Sequence, residues 1–177
     1  MMTEDEKYMK RAIRKAKEAF ALGEVPVGCV IVREGKVIAT GRNMRETKRS
    51  ALAHAEIMAI RSACRKLGAW RLCDCDIYVT LEPCPMCAGA IINARARRVI
   101  WGAPDKKAGA FGSVADISVF DLNHSIEING GVLEDECASL VSEFFRTLRE
   151  EKKKNNCRMI PRRTRRVPCN IQGAEKI

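Results

Sequence analysis

His54-Ala55-Glu56 is followed thirty residues further on by Pro83-Cys84-Pro85-Met86-Cys87, and the spacing inside each stretch assigns different work to its side chains. Cys84 and Cys87 stand three apart. At about 100° per residue, such a pair lies roughly 60° apart on a helix surface, so two thiolates can converge on one ion. Pro83 and Pro85 fix how the chain enters, because proline is tolerated in the first helical turn, and helical residues Met86 to Asn93 follow. Both sulfurs then sit near a helix N-terminus, where aligned backbone N–H groups favour the thiolate, the form that binds metal.

His54 and Glu56 read differently. Residues two apart point to nearly opposite sides of a regular helix, so one ligates while the other works. One imidazole and two thiolates fill three positions around a zinc ion and leave a fourth for water, which marks a catalytic site more than a closed structural one. One Zn2+ per chain is therefore expected, held by His54, Cys84 and Cys87, with Glu56 as the carboxylate that serves the water. Two plainer readings use the same residues. In one, Cys84 and Cys87 are reduced core thiols and His54 is a helix cap. In the other, Cys64, Cys73 or Cys75 supplies a fourth protein ligand and the zinc is structural.

The 177 residues, 46% of them hydrophobic, suffice for one well-cored domain and are few for two. A domain over 1–154 and a flexible basic tail over 155–177 are expected. The N-terminal stretch is charged and carries no apolar h-region, and no apolar run approaches the roughly 20 residues needed to cross a bilayer. No membrane association and a cytoplasmic location are expected. The nine cysteines, an odd number without framework spacing, fit a reducing compartment. Cys29, Cys64 and Cys137 fall in periodic apolar segments and read as core, whereas Cys73-Asp74-Cys75 reads as a pair of solvent-side thiols.

Net charge is +10 and unevenly placed: residues 152–177 hold nine Lys or Arg against Glu175 alone, which accounts for eight of the ten charges. Such a block suits a nucleic-acid-binding arm and equally suits a solvated tail.

Along the chain, Thr3-Glu4-Asp5-Glu6 forms a capping box. Met9, Ala12, Ile13, Ala16, Ala19 and Phe20 then recur at helical spacing until Gly23. Val27 to Arg33 and Lys36 to Gly41 are β-rich runs joined at Glu34-Gly35 as a hairpin. Asn43 to Ala53 reads as a polar loop, followed by a helix of about 54–67 closed by Gly68. Ile77 to Thr80, Arg98 to Trp101 and Ile126 to Ile128 read as short strands. A last helix spans about Glu134 to Lys154, its stripe of Cys137, Leu140, Val141, Phe144, Phe145 and Leu148 reading as core rather than as an RNA-stacking surface. The alternation predicts a layered α/β domain whose metal-binding segments enter helices beside strand ends.

Several further segments carry a family resemblance. They are Gly23-Glu24-Val25-Pro26-Val27-Gly28, Gly41-Arg42-Asn43, Ala53-His54-Ala55-Glu56, Thr80-Leu81-Glu82-Pro83-Cys84 and Met86-Cys87-Ala88-Gly89-Ala90. Gly109-Ala110, Gly112-Ser113, Asn123-His124, Asp135-Glu136-Cys137-Ala138 and Phe144-Phe145 complete the set. From about residue 4 to 154 the chain resembles the bacterial tRNA-specific adenosine deaminases of the TadA type, within the cytidine deaminase-like superfamily. The resemblance implies a three-layer α/β/α fold around a mixed five-stranded sheet and a homodimer. It also implies a tRNA partner, bound through its anticodon arm, whose wobble adenosine becomes inosine. It places His54, Cys84 and Cys87 on zinc, Glu56 as proton shuttle, and Asn43 and Val27 in the base pocket. Asn43 offers both donor and acceptor to a purine edge and Val27 an apolar face, while Asn43 also suits a plain turn after a strand. The chain departs from the pattern at Ser50-Ala51-Leu52, which replaces the more usual Asp-Pro-Thr, and over 157–177, which has no counterpart. A deaminase of free nucleosides or bases would share the zinc machinery. A non-catalytic RNA-binding subunit would lack Glu56.

Overall fold

Thr3 starts the first helix as its neighbours require. Its hydroxyl accepts from the Glu6 N–H, and the Glu6 carboxylate accepts from the Thr3 N–H, the reciprocal cap read from the sequence. The computed structural model describes residues 2–158. In it α1 (Glu4–Ala21) buries Tyr8, Met9, Ala12, Ile13, Ala16 and Ala19 along one stripe. β1 (Gly28–Arg33) and β2 (Lys36–Arg42) form the predicted hairpin. Glu34 and Gly35 both take positive φ, 50° and 70°, as a two-residue turn must to match the twist of its strands.

The stretch read as a continuous polar loop holds a short helix, α2 (Arg45–Lys48). Its first N–H groups are capped by the carboxylate of Glu24, twenty-two and twenty-three residues earlier, a partner that leaves no local signal. α3 (Ala55–Leu67) ends at Gly68 with φ 64°. β3 (Cys75–Leu81), α4 (Pro85–Asn93) and β4 (Arg98–Ala103) make a β-α-β unit with parallel strands. β5 (Glu127–Asn129) follows, and α5 (Glu134–Arg158) runs four residues past the expected domain limit at 154. The expected tail from 159 onward lies outside the described residues.

The sheet order is β2-β1-β3-β4-β5, with β2, β1 and β3 antiparallel in turn and β3, β4 and β5 parallel. Alternate strand residues feed two cores. Cys29, Ile31, Ile77, Val79 and Val99 meet the alanines of α3 and Ala88 and Ile91 of α4. Val30, Val32, Tyr78 and Ile100 meet Met9, Ala12 and Ile13 of α1 and Cys137 of α5. This is the three-layer α/β/α arrangement around a mixed five-stranded sheet, and burial on both faces explains why β3 outruns its predicted Ile77–Thr80 span.

Two cysteine expectations need correction. Cys29 and Cys137 are core residues, but Cys64 is only half-buried. Cys73 is exposed as expected, whereas Cys75 is fully buried, because β3 begins at Cys75 and the alternation 75, 77, 79 turns that thiol toward the core. Burial pushes its pKa up to about 11.

The layers approach most closely at two glycines. A Cβ on Gly28 would lie 2.1 Å from the carbonyl oxygen of Ala12 in α1, and one on Gly41 would lie 2.0 Å from that of Ala55 in α3. Gly28→Ala should therefore push α1 off β1 and cost about 1–3 kcal/mol, the usual range for overpacking. Urea unfolding should show a lower midpoint with an unchanged slope; an unchanged midpoint would mean that α1 can slide without loss.

Candidate active site

β1 runs antiparallel to β3, so the start of β1, the end of β2 and the ends of β3 and β4 share one edge of the sheet. A cleft of about 660 Å³ opens there. Val27, Asn43, His54, Glu56 and Cys84 line it, and Cys87 is fully buried. Four of the six residues come from helix starts. His54 is the N-cap of α3, with an extended backbone at φ −73° and ψ 155°, and Glu56 is the second residue inside. The division of roles thus rests on His54 standing outside the helix, which corrects the argument from opposite faces of a regular one. Cys84 is likewise the N-cap of α4, Pro85 its first residue and Cys87 part of its first turn. The two cysteines share a helix start rather than a helix face.

Neither side chain makes the usual N-cap hydrogen bond, and both turn toward the cleft instead. His54 Nδ1 lies 3.7 Å from Cys84 Sγ and 3.5 Å from Cys87 Sγ. The three donor atoms fall within 4.8 Å of one another, and they form the sole His, Cys, Asp and Glu cluster of that kind among the described residues. An imidazole with two sulfurs is a donor set suited to zinc, and three protein ligands leave a position open. Cys64, Cys73 and Cys75 do not join the cluster, so a fourth cysteine ligand finds no support.

The charges are arranged asymmetrically. A hydrogen bond from Cys87, with a second from His54, pulls the Cys84 thiol down to about 4. The same bond to Cys84, together with burial, pushes Cys87 upward. His54 is raised, chiefly by its hydrogen bond to Cys84. Burial raises Glu56, so its carboxyl holds a proton more tightly than a solvated one would, a property suited to proton transfer.

Asn43 follows β2 directly. Its N–H donates to the Val27 carbonyl at 3.0 Å, which brings the two expected base-contacting residues together. The Ser50-Ala51-Leu52 departure closes as a turn, with Ala53 N–H on Ser50 O at 3.1 Å and His54 N–H on Leu52 O at 2.8 Å. That turn delivers His54 to the start of α3.

The walls include residues that the sequence did not single out. Buried Glu82 accepts from the N–H groups of Asp105 at 3.1 Å, Phe111 at 3.0 Å and Ser113 at 3.1 Å, and from the Ser113 hydroxyl. It thereby holds the loop that puts Asp105, Lys106 and Lys107 on the cleft. The α5 stripe expected as core is split. Cys137 and Phe144 are buried, whereas Phe145 is 42% exposed and lines the cleft with Val141. Helical spacing could mark that stripe as apolar, but only the tertiary arrangement says which of its residues meet the sheet.

A family profile described as MafB19-like deaminase matches residues 3–149. The chain is 50% identical over 153 residues to the tRNA-specific adenosine deaminase of Bacillus subtilis (strain 168), covering 86% of this chain and 95% of that protein. Among solved structures, it resembles one from studies of A-to-I editing by tRNA:A34 deaminases at the wobble position of transfer RNA. There the TM-score is 0.71 and the identity 42%, covering 76% of this chain and 98% of the other. It also resembles a guanine deaminase from Nitrosomonas europaea, with TM-score 0.67 and 26% identity over 78% of this chain and 83% of that one. On the profile, the identity and the shared fold, the chain belongs to the bacterial-type tRNA-specific adenosine deaminases of the cytidine deaminase-like superfamily.

Proposed function

We propose that this chain hydrolytically deaminates adenosine to inosine at the wobble position of a tRNA anticodon, working in the cytoplasm as a homodimer. The observation that carries the reading is that the His54, Cys84 and Cys87 cluster sits at the same cleft as buried Glu56 and Asn43. Similarity to enzymes named for tRNA supplies the substrate class.

His54, Cys84 and Cys87 would hold one Zn2+, which when bound lowers the pKa of a coordinated water toward about 7. The chain's own residues do the rest. An extruded adenine enters the cleft against the apolar side chain of Val27, with Asn43 on its purine edge. A volume near 660 Å³ is within the usual range for a small-molecule site and admits a nucleoside. One water adds at C6 and ammonia leaves. Glu56 takes a proton from that water on a carboxylate oxygen and returns it to the departing amine, and its raised pKa suits both transfers.

Glu56→Ala should lower deamination by 10²-fold to 10⁴-fold or more, the usual worth of a positioned acid–base group. Zinc content, read by metal analysis, should stay near one per chain. His54→Ala should lose the metal. Collapse of zinc binding in the Glu56 variant would reverse the roles assigned to the two residues.

The likeness to a guanine deaminase sustains a second reading, deamination of a free base. The two separate in one assay. An anticodon stem-loop with adenosine at the wobble position should be converted, the same loop with guanosine there should not, and free adenosine, cytidine and guanine should be nearly inert. Comparable turnover of any free base or nucleoside would favour the second reading.

The basic stretch suggests a division into a deaminase domain over 1–154 and an arm over 155–177 that adds affinity through phosphate contacts. Such contacts strengthen binding without reading sequence, and each adds roughly 0.7 to 0.9 to the salt slope. A chain ending at Arg158 keeps α5 whole and removes Arg162, Arg163, Arg165, Arg166 and Lys176. It should bind tRNA more weakly and with a flatter dependence on salt, while keeping its wobble preference. Equal slopes for the two chains would leave the arm without a role in binding.

A further inference from the structure

Glu24 is an acid buried to 1% exposure beside the cleft, and its carboxylate accepts hydrogen bonds from three donors. One carboxylate oxygen accepts from the Thr47 N–H at 2.7 Å. The other accepts from the Glu46 N–H at 3.3 Å and from Nδ2 of Asn43 at 3.2 Å. Burial alone would raise this carboxyl, but the hydrogen bonds from Thr47 and Glu46 outweigh it and hold the group below the usual carboxylate range. An ionised carboxylate can only accept. If the Asn43 amide turned over, its carbonyl oxygen would face a carboxylate oxygen with no proton between them, in a site shielded from water. The amide group therefore has one allowed orientation.

We propose that Glu24 is a positioning residue that locks the Asn43 amide with its NH₂ against the carboxylate, so that Asn43 offers its carbonyl oxygen to a hydrogen-bond donor on the substrate. The same carboxylate caps α2 and so ties Asn43 to the segment carrying Arg45, another residue on the cleft. Recognition of the base and the shape of that wall are fixed by one buried charge. The proposal rests on the reading of Asn43 as a base contact.

Glu24→Gln supplies the test, because its NH₂ would face donors and invite Asn43 to turn its carbonyl inward. Deamination of an anticodon stem-loop would be measured for the unmutated chain, Glu24→Gln, Asn43→Ala and the double variant, with melting temperature recorded for each. Each single substitution should lower kcat/KM by tenfold or more, and the double variant should stay within twofold of Asn43→Ala. Losses that multiply in the double variant would show that Glu24 does not act through Asn43, and a silent Glu24→Gln would overturn the proposal outright. Full activity in Asn43→Ala would sink the base-contact reading itself. Should Glu24→Gln fail to fold, the unmutated chain still decides. One Nδ2 proton of Asn43, followed by NMR, should be protected from hydrogen exchange, and exchange of both at solvent-exposed rates would overturn the assignment.

Discussion

The site depends on two helices beginning side by side at one edge of a sheet. His54 and Cys84 are both N-cap residues, both extended, and neither side chain makes the usual cap hydrogen bond. Because β3 leads into α4 and its neighbour β1 runs antiparallel to it, the caps of α3 and α4 meet with 3.7 Å between imidazole nitrogen and sulfur, and Cys87 Sγ lies 3.5 Å from the same nitrogen. Ordinary caps would be Ser, Thr, Asp or Asn bonded inward, each stabilising its helix by about 1 kcal/mol. Here that stabilisation is forgone at both helices, and the side chains turn to each other instead. Gly28 and Gly41 let α1 and α3 lie against the sheet at contact distances that no Cβ would permit.

Buried acids then fix what the caps leave open. Glu24 holds Asn43 and α2 on one side of the cleft, and Glu82, two residues before Cys84, holds the 105–113 loop on the other. Several N–H donors converge on each of these carboxylates and satisfy them where water is excluded. Both are therefore rigid fixtures in a region otherwise built from loops. A third buried acid works at the far end of β3. Asp76 accepts from Arg97 and Arg98 at 2.7 to 2.8 Å, and Arg98 reaches on to Asp5 at the start of α1. Burial would raise Asp76, but the two guanidinium groups more than compensate and keep it low. An ion-pair network lies at one end of the strand and the candidate site at the other.

This distribution explains how far the chain could be read without coordinates. The capping box at Thr3, the Glu34-Gly35 turn, the stop at Gly68 and the proline-guided entry to α4 are local devices, and each appears where its residues predict. The His54, Cys84 and Cys87 cluster was equally readable, since ligand type and spacing carry the chemistry. Glu24, Glu82 and helix α2 were not. An acid in a sequence reads as solvated surface unless its donors are known, and here the donors come from 19 to 31 residues away. Cys75 and Phe145 failed for a related reason: alternation and helical spacing identify a face, but not which face the rest of the fold will cover.

The cleft's composition follows from the same separation. Its lining includes Arg45, Lys106 and Lys107 together with Asp105 and Glu134, the exposed ring of Phe145 on α5, and the buried carboxyl of Glu56. A rim of basic groups attracts a phosphate backbone over distances set by the ionic strength but cannot tell one base from another. An exposed aromatic ring offers a stacking face to any base, again without selectivity. Under the proposed function, discrimination would fall to deeper groups whose donors and acceptors cannot rearrange, and Asn43 is constrained in this way by a carboxylate that only accepts. Under the proposed function, affinity would belong to the exposed basic and aromatic groups and choice of base to the buried hydrogen bonds, so substitutions at Lys106 or Lys107 and at Asn43 should affect separable properties of the protein.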